Sequence, residues 1–105
     1  SREEQFAEKL HAYTLPRTGR PNTRVKDLVD MILLSDSGTM DRTRLAENIK
    51  ATFRRRGTHD VPPSLPPPQE DWAEPFSTLA TECGLNKDMG EHHRRLVDFL
   101  VGILK

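Results

Sequence analysis

The stretch RVKDLVDMILL at residues 24–34 decides the expected fold class. Its apolar side chains recur at i, i+3, i+4, i+7 and i+8, which is the spacing of one face of an α-helix. The members of this face are Val25, Leu28, Val29, Ile32 and Leu33. The pattern predicts an amphipathic helix that ends near residue 34 and is capped by Asn22 or Thr23. A helix with one apolar stripe needs other elements to cover that stripe.

The same periodicity predicts four more helices and no strand. They span residues 2–13, 41–57, 71–83 and 88–104. Their stripes are Phe6, Leu10 and Tyr13; Leu45, Ile49 and Phe53; Trp72, Phe76, Leu79, Ala80 and Cys83; and Leu96, Phe99, Leu100, Ile103 and Leu104. No segment alternates at period two for long enough to form a strand. We therefore predict an all-α fold, a small bundle of about five helices.

Helix boundaries follow from capping chemistry. Asp41 is expected to cap the third helix, and Gly57 to end it. Asp71 and Glu74 have the spacing of a capping box for the fourth helix. Cys83 completes the stripe of that helix, so we expect a buried thiol.

Residues 58–68, THDVPPSLPPP, contain five prolines. Proline lacks the backbone N–H and fixes φ, so this segment forms neither a regular helix nor a central strand. We predict an ordered, extended strap between the third and fourth helices, anchored by Val61 and Leu65.

Composition bounds the class of protein. The 105 residues allow one domain, or part of a larger one. Lys plus Arg and Asp plus Glu both number 16, which argues against a highly cationic nucleic-acid coat protein. No apolar run reaches the ~20 residues of a membrane helix, and one cysteine allows no intrachain disulfide, so a cytoplasmic protein is expected. The chain opens with Ser1 and enters a helical pattern at once, so we expect a C-terminal helical region of a larger protein.

Charge is unevenly distributed near the second helix. Five cations and no acid lie between residues 9 and 26: Lys9, Arg17, Arg20, Arg24 and Lys26. Asp27 and Asp30 follow and project from one helical face. A surface Arg24–Asp27 ion pair on a solvated face is the ordinary interpretation. The alternative is a polyanion site, such as one for a triphosphate, in which Lys9 and Asp27 border one cleft.

Other polar residues are less informative. Arg54, Arg55 and Arg56 suit either the C-terminal end of a helix dipole or nucleic-acid phosphates. His11 is expected to be solvated. His92 and His93 are adjacent, so on a helix they diverge and do not chelate one metal together.

The charged region resembles a known family. EEQFAEKLHAYTLPRTGRPNTRVKDLVDMILL at residues 3–34 resembles the third and fourth motifs of the AbiEii/AbiGii toxin nucleotidyltransferases, within the DNA polymerase beta-like superfamily. Two signatures carry the resemblance. Glu8, Lys9 and Ala12 match Glu-Lys-x-x-Ala, and Lys26, Asp27, Leu28, Asp30 and Met31 match a signature similar to Arg/Lys-Asp-Leu-x-Asp-Leu. Residues 53–59 and 67–72 are also similar to members of the family.

The resemblance implies a toxin–antitoxin enzyme that transfers a nucleotide from an NTP to an acceptor such as tRNA or another RNA. It implies catalytic roles for Lys9, on the triphosphate, and for Asp27, which would position that lysine or assist the attacking hydroxyl. Arg20, Arg24 and Lys26 would bind phosphate, and Asp30 is a further candidate. These are the site residues that we expect.

Metal chemistry is implied outside these residues. Family members carry Gly-Ser and Asp-x-Asp motifs that hold Mg²⁺, and neither motif occurs in the 105 residues. We therefore expect no metal site and no transferase activity in this fragment alone, with Mg²⁺ needed by the full-length enzyme. A cognate antitoxin is an expected partner. The rival hypothesis is a non-catalytic helical interaction module that binds a protein partner or RNA.

Overall fold

The computed structural model describes residues 1–16 and 24–104, and within these ranges every regular element is helical. The elements are α1 (Arg2–Thr14), α2 (Arg24–Asp36), α3 (Arg42–Arg56), a 3-10 turn (Glu70–Trp72), α4 (Ala73–Glu82) and α5 (Met89–Leu104). The predicted all-α class with five helices is confirmed. The Asn22 or Thr23 cap and the loop around it lie outside the described residues.

Helix α1 lies at the centre of the packing, with α3 on one side and α2 on the other. Phe6, Ala7 and Leu10 on α1 are almost completely buried. Leu28 on α2 and Ile49 on α3 are also inaccessible, so one apolar core joins the three helices. This arrangement places the polar residues of α1 beside the polar residues of both neighbours.

Helix α3 has the boundaries that its sequence predicts. The Asp41 carboxylate accepts a hydrogen bond of 2.9 Å from the Arg44 backbone N–H, which satisfies a donor of the first turn. Gly57 ends the helix with φ +61°, in the left-handed region that glycine adopts without strain.

The predicted capping box of α4 is wrong. Asp71 lies within the 3-10 turn, and neither that turn nor α4 receives a side-chain cap. The chain enters α4 through this tight turn, so Trp72 occupies the position before the first α-helical residue. The Asp71 carboxylate therefore lies too early in the chain to cap α4.

Two predicted core residues are exposed. Cys83 follows the last residue of α4 with a backbone that is no longer helical, and it is exposed, whereas the buried stripe ends at Ala80. Leu33 on α2 is also exposed, whereas Met31 is buried. The reason is that α2 packs against α1, α4 and α5. Its buried surface is therefore broader than a single stripe, and it includes Met31 instead of Leu33.

The proline-rich segment contacts two helices. It contains no helix or strand between Gly57 and Gln69, and its Leu65 is buried. The Tyr13 hydroxyl donates a 2.8 Å hydrogen bond to the Pro66 carbonyl, and His93 Nε2 lies 3.0 Å from the Leu65 carbonyl oxygen. These contacts tie the segment to α1 and α5.

No described helix is both long enough and apolar enough to span a membrane.

Candidate functional site

Lys9 lies between two carboxylates of α2. Its Nζ is 3.0 Å from Asp30 Oδ2 and 3.6 Å from Asp27 Oδ1. We call these three residues, together with Arg24 and Lys26, the charged cluster. The Lys9 side chain is 35% exposed, and the Asp27 side chain is 18% exposed. The structure thus brings together the two residues for which catalytic roles were predicted, at the edge of the solvent.

Core packing positions this contact. Lys9 precedes Leu10 and Asp27 precedes Leu28, and both leucines are buried in the core that α1 and α2 share. A residue adjacent to a buried position on a helix lies about 100° around the axis, at the edge of the apolar stripe. The two charged side chains therefore meet along the seam between the helices.

Arg24 and Lys26 complete the cluster from the first turn of α2. Arg24 Nη1 lies 3.6 Å from Asp27 Oδ2, and Lys26 Nζ lies 3.1 Å from Asp30 Oδ2. The Arg24–Asp27 pair of the ordinary interpretation is present, but its placement on the surface is wrong, because only 4% of the Arg24 side chain is exposed. Arg20 lies outside the described residues, so its expected role stays a prediction.

The electrostatics of the cluster keep Lys9 protonated. The hydrogen bond to Asp30 raises the pKa of the Lys9 ammonium above its ordinary value, and the charge of Asp27 acts in the same direction. Burial opposes this effect but does not reverse it. An ammonium has three N–H donors, and of the two carboxylates Asp30, at 3.0 Å, lies within hydrogen-bond distance while Asp27, at 3.6 Å, is a longer ion-pair contact. The donors that Asp30 does not engage are left for a further anion.

The cluster does not suit a metal ion. Within residues 1–16 and 24–104, no group of three or more His, Cys, Asp or Glu side chains lies close enough to hold one. Asp27 and Asp30 already face cations, and a divalent ion at this position would have to displace Lys9 from them. The Mg²⁺ that the resemblance implies therefore does not fit these two carboxylates.

A second ion network lies one residue away. The Glu8 carboxylate contacts Arg55 Nη2 at 2.9 Å and Arg56 Nη2 at 3.0 Å, which joins α1 to the end of α3. Neither hypothesis for these arginines anticipated a partner on α1. Residues 8 and 55 are far apart in sequence, and periodicity alone does not show which helix faces which.

His11 is buried, so the expectation of a solvated side chain is wrong. Its Nε2 lies 2.8 Å from Thr58 Oγ1, and its ring packs edge-on against Phe53 with centroids 5.1 Å apart. Burial lowers the pKa of His11, and the neighbouring positive charge of Arg56 lowers it further. The sequence carried a signal for this burial, because Ala7, His11 and Thr14 widen the apolar stripe of α1 at i, i+4 and i+7.

His92 and His93 contact different backbone carbonyl groups. His92 is buried with Nε2 2.8 Å from the Asn86 carbonyl oxygen, whereas His93 faces the carbonyl of Leu65. Each ring thus serves a separate structural hydrogen bond.

Comparison with known protein families gives one result. The chain matches the family model described as nucleotidyl transferase AbiEii toxin, Type IV TA system, over residues 1–99. The match includes α1, α2 and the whole charged cluster. No curated protein and no solved structure is significantly similar to the chain.

Proposed function

The chain belongs to the AbiEii nucleotidyltransferase toxin family, and on this premise we propose that its charged cluster binds the triphosphate of an NTP. The protein that contains it then transfers the nucleotide to a hydroxyl group of an acceptor, tRNA or another RNA. The family also indicates a cognate antitoxin as a partner, and we place the reaction in the cytoplasm. Residues 1–105 form the helical region of this enzyme.

The observation that carries the proposal is the position of Lys9. Its ammonium is held by two carboxylates and stays charged, and about one-third of the Lys9 side chain is exposed. Asp30 and Asp27 hold the ammonium from α2 at 3.0 and 3.6 Å. The N–H donors that Asp30 does not engage are available to a phosphate oxygen.

The surrounding cations support the same assignment. Arg24 and Lys26 bring the cluster to three cations against two carboxylates, a net charge of +1. This charge alone does not balance a triphosphate. We therefore keep Arg20, which precedes α2, as a further phosphate contact.

The two carboxylates are proposed to have different roles. Asp30 makes the shorter contact with Lys9, 3.0 Å against 3.6 Å, so it positions the ammonium. Asp27 is less closely engaged, with both of its ion-pair contacts at 3.6 Å. Its oxygens are thus better placed to orient the acceptor hydroxyl.

The reaction itself needs one bond to form and one to break. The acceptor oxygen attacks the α-phosphorus, the bond to pyrophosphate breaks, and the hydroxyl proton passes to a base, for which Asp27 is the candidate. Lys9 and Arg24 stabilise negative charge on the phosphate oxygens. Because the cluster does not suit Mg²⁺, we propose that any metal of the reaction is held by other residues and that the 105-residue chain alone transfers no nucleotide.

A binding measurement tests the phosphate site without requiring turnover. Calorimetric titration of the chain with tripolyphosphate is expected to show binding that Lys9→Met weakens by about 10-fold or more. Lys50→Met is the matched control, since Lys50 is an exposed lysine on α3 outside the cluster. Equal binding by the wild-type chain and Lys9→Met would contradict the proposal.

A further inference from the structure

A network of side-chain hydrogen bonds joins the end of α1 to the start of the proline-rich segment. His11 Nε2 lies 2.8 Å from Thr58 Oγ1, and Thr58 Oγ1 lies 3.1 Å from His59 Nδ1. His59 Nε2 in turn lies 2.8 Å from Thr14 Oγ1, which returns the network to α1. We call these four side chains the His–Thr network. Imidazole and hydroxyl groups alternate along it, so the position of each hydrogen constrains the next.

The number of hydrogens fixes the direction of the network when both rings are neutral. The Thr14 hydroxyl donates its single hydrogen to the Leu10 carbonyl at 2.9 Å, so its oxygen accepts from His59 Nε2–H. A neutral imidazole carries one N–H, so His59 Nδ1 accepts the hydrogen of the Thr58 hydroxyl. The Thr58 oxygen then accepts from His11 Nε2–H. Every contact thus has one donor and one acceptor.

One proton on either ring leaves these contacts intact. A charged His11 still donates from Nε2. A charged His59 donates from both nitrogens, so the Thr58 hydroxyl turns and donates to His11 Nε2 instead. The neutral His11 ring then carries its hydrogen on Nδ1. The first proton therefore reverses one part of the network without breaking it.

A second proton has no such solution. With both rings charged, His11 Nε2–H and His59 Nδ1–H both point at the Thr58 oxygen, and the Thr58 hydroxyl has no ring nitrogen left to accept its hydrogen. The ring centroids are 4.8 Å apart, and His11 is buried. Two positive charges at this distance repel each other, and burial weakens their hydration.

The surroundings do not compensate a second charge. Burial lowers the pKa of His11, and the positive charges of His59, Arg56 and Arg24 lower it further, while Glu8 acts in the opposite direction. His11 is therefore the ring that takes up the second proton. The charged groups around the two rings are three cations and two carboxylates: Arg24 on α2, Arg54 and Arg56 on α3, Glu8 on α1 and Asp60 after His59.

We propose that the His–Thr network is a pH-sensitive latch, which holds residues 58–60 on α1 with one proton bound and releases them when the second is taken up. The release is local. The Tyr13 hydroxyl donates to the Pro66 carbonyl, and a charged His93 still donates to the Leu65 carbonyl, so protons do not weaken these contacts. The latch is independent of the phosphate site proposed above.

NMR titration of the isotope-labelled chain between about pH 8 and pH 4.5 tests the latch. The ring ¹⁵N shifts show which nitrogens carry hydrogen. While one of the two rings is charged, we expect it to be His59, with the hydrogen of neutral His11 on Nδ1. The nuclear Overhauser effect between the His59 and Phe53 rings, whose centroids are 5.1 Å apart, should persist in that interval. It should be lost when His11 also becomes charged.

Single variants test whether both charges are needed. Glutamine donates and accepts hydrogen bonds but does not titrate. In His11→Gln the His59–Phe53 effect should persist at the pH at which the wild-type chain loses it. In His59→Gln the corresponding effect between His11 and Phe53, also 5.1 Å apart, should persist.

The central hydroxyl is tested in the same way. Thr58→Val removes the group that adapts to the first proton, so the His59–Phe53 effect should be lost with that proton. Thr81→Val is the matched control, because the Thr81 hydroxyl bonds only to the Ser77 carbonyl on α4 and contacts no histidine. Its titration should equal that of the wild-type chain.

Three results would overturn the latch. The first is loss of the His59–Phe53 effect in the wild-type chain with the first proton, or its persistence with both rings charged. The second is a His11 hydrogen that stays on Nε2 while only His59 is charged. The third concerns the core, where the Phe6 and Phe99 rings lie 5.9 Å apart and their effect should persist throughout. Its loss together with the Phe53 contact would show global unfolding and contradict a local release.

Discussion

Neighbouring residues on α1 form the centres of two opposite ion networks. Glu8 is one carboxylate between two guanidinium groups of α3, and Lys9 is one ammonium between two carboxylates of α2. Both networks join α1 to a flanking helix, Glu8 through contacts of 2.9 and 3.0 Å and Lys9 through contacts of 3.0 and 3.6 Å. Their surroundings differ, because the Glu8 partners are mostly exposed while Asp27 and Asp30 are largely covered.

This difference separates a surface clamp from a candidate site. Exposed arginines lose little of their hydration in an ion pair, so the Glu8 network contributes little to the free energy of unfolding. In the Lys9 network the Lys9 side chain is 35% exposed, more than Asp27 at 18% or Asp30 at 25%, so its positive charge is the more accessible one. Burying charge in this way is costly and needs a compensating gain, for which anion binding is our proposal.

The largest expected effect separates the two networks by activity. In the natural protein that contains this chain, Lys9→Met is expected to lower nucleotide transfer about 10³-fold, because a charge contact to the transferring phosphates is lost. Glu8→Gln, its neighbour, should change the rate by less than about 3-fold. Transfer of label from an α-labelled NTP to RNA, with a thermal melt of each variant, checks both. Comparable transfer rates for Lys9→Met and Glu8→Gln would contradict the distinction between the two ion networks.

The second prediction concerns the different roles of Asp27 and Asp30 within the Lys9 network. Asp27→Asn is expected to reduce transfer about 10²-fold, as for loss of a group that handles a proton. Asp30→Asn should reduce it about 10-fold through misplacement of Lys9, and should also lower the Lys9 pKa. NMR titration of the Lys9 side chain measures that pKa. Asp30→Glu should restore part of the transfer rate and part of the Lys9 pKa. An unchanged Lys9 pKa in Asp30→Asn would exclude the positioning role of Asp30.

The third prediction concerns stability. Glu8→Gln removes both contacts with α3 and is expected to lower the free energy of unfolding by about 0.5 kcal/mol, a difference that shrinks in 1 M salt. Urea denaturation at two salt concentrations provides the measurement. A loss of several kcal/mol would show that this network is a structural centre of the fold.

The smallest effect follows from His11, which lies near Glu8 and Arg56. Its pKa is lowered in the folded protein by burial, and by the positive charges of His59, Arg56 and Arg24, while Glu8 acts in the opposite direction. The unfolded chain therefore binds a proton near pH 6.5 that the folded chain does not. Stability should be constant above this pH and fall as the pH drops through the lower, folded value.

His11→Gln tests the assignment of that pH dependence. Denaturation curves between pH 5 and 7.5 should show a smaller decline for the variant than for the wild-type chain. His93→Gln is the control, because that ring lies at the strap and not in the His11 cluster. Identical pH profiles for the wild-type chain and His11→Gln would assign the titration to another group.

Local patterns predicted the helices and the side of each helix that faces the core. The stripe of Phe6, Leu10 and Tyr13 is buried as expected, and the Asp41 cap lies where its side chain can reach the first turn. Lys9 and Asp27 were expected at one cleft because a short connection makes α1 and α2 neighbours, and the structure places them 3.6 Å apart. The errors at Cys83 and Asp71 both arose at helix ends, where one residue changes the direction of a side chain.

The periodicity of the sequence did not predict the contacts between distant segments of the chain. The partners of Glu8 are 47 and 48 residues away, and the hydroxyl of Tyr13 bonds to a carbonyl 53 residues later. Periodicity gives the polar face of each helix but not its rotation against another helix. The burial of Arg24 depends on that rotation, and residue-by-residue reasoning did not predict it.

The position of α1 at the centre of the bundle has a consequence for folding kinetics. Its most extensive partner is α3, which begins at Arg42, so α1 leaves the ribosome well before the surface that covers it. An isolated helix of 13 residues is marginal in water, and α1 is expected to remain only partly formed until α3 has emerged. The proline-rich segment docks on Tyr13 and on His93 of α5, which makes its closure one of the last events. Folding of this chain is thus expected to be slower than that of helical bundles whose contacts are local.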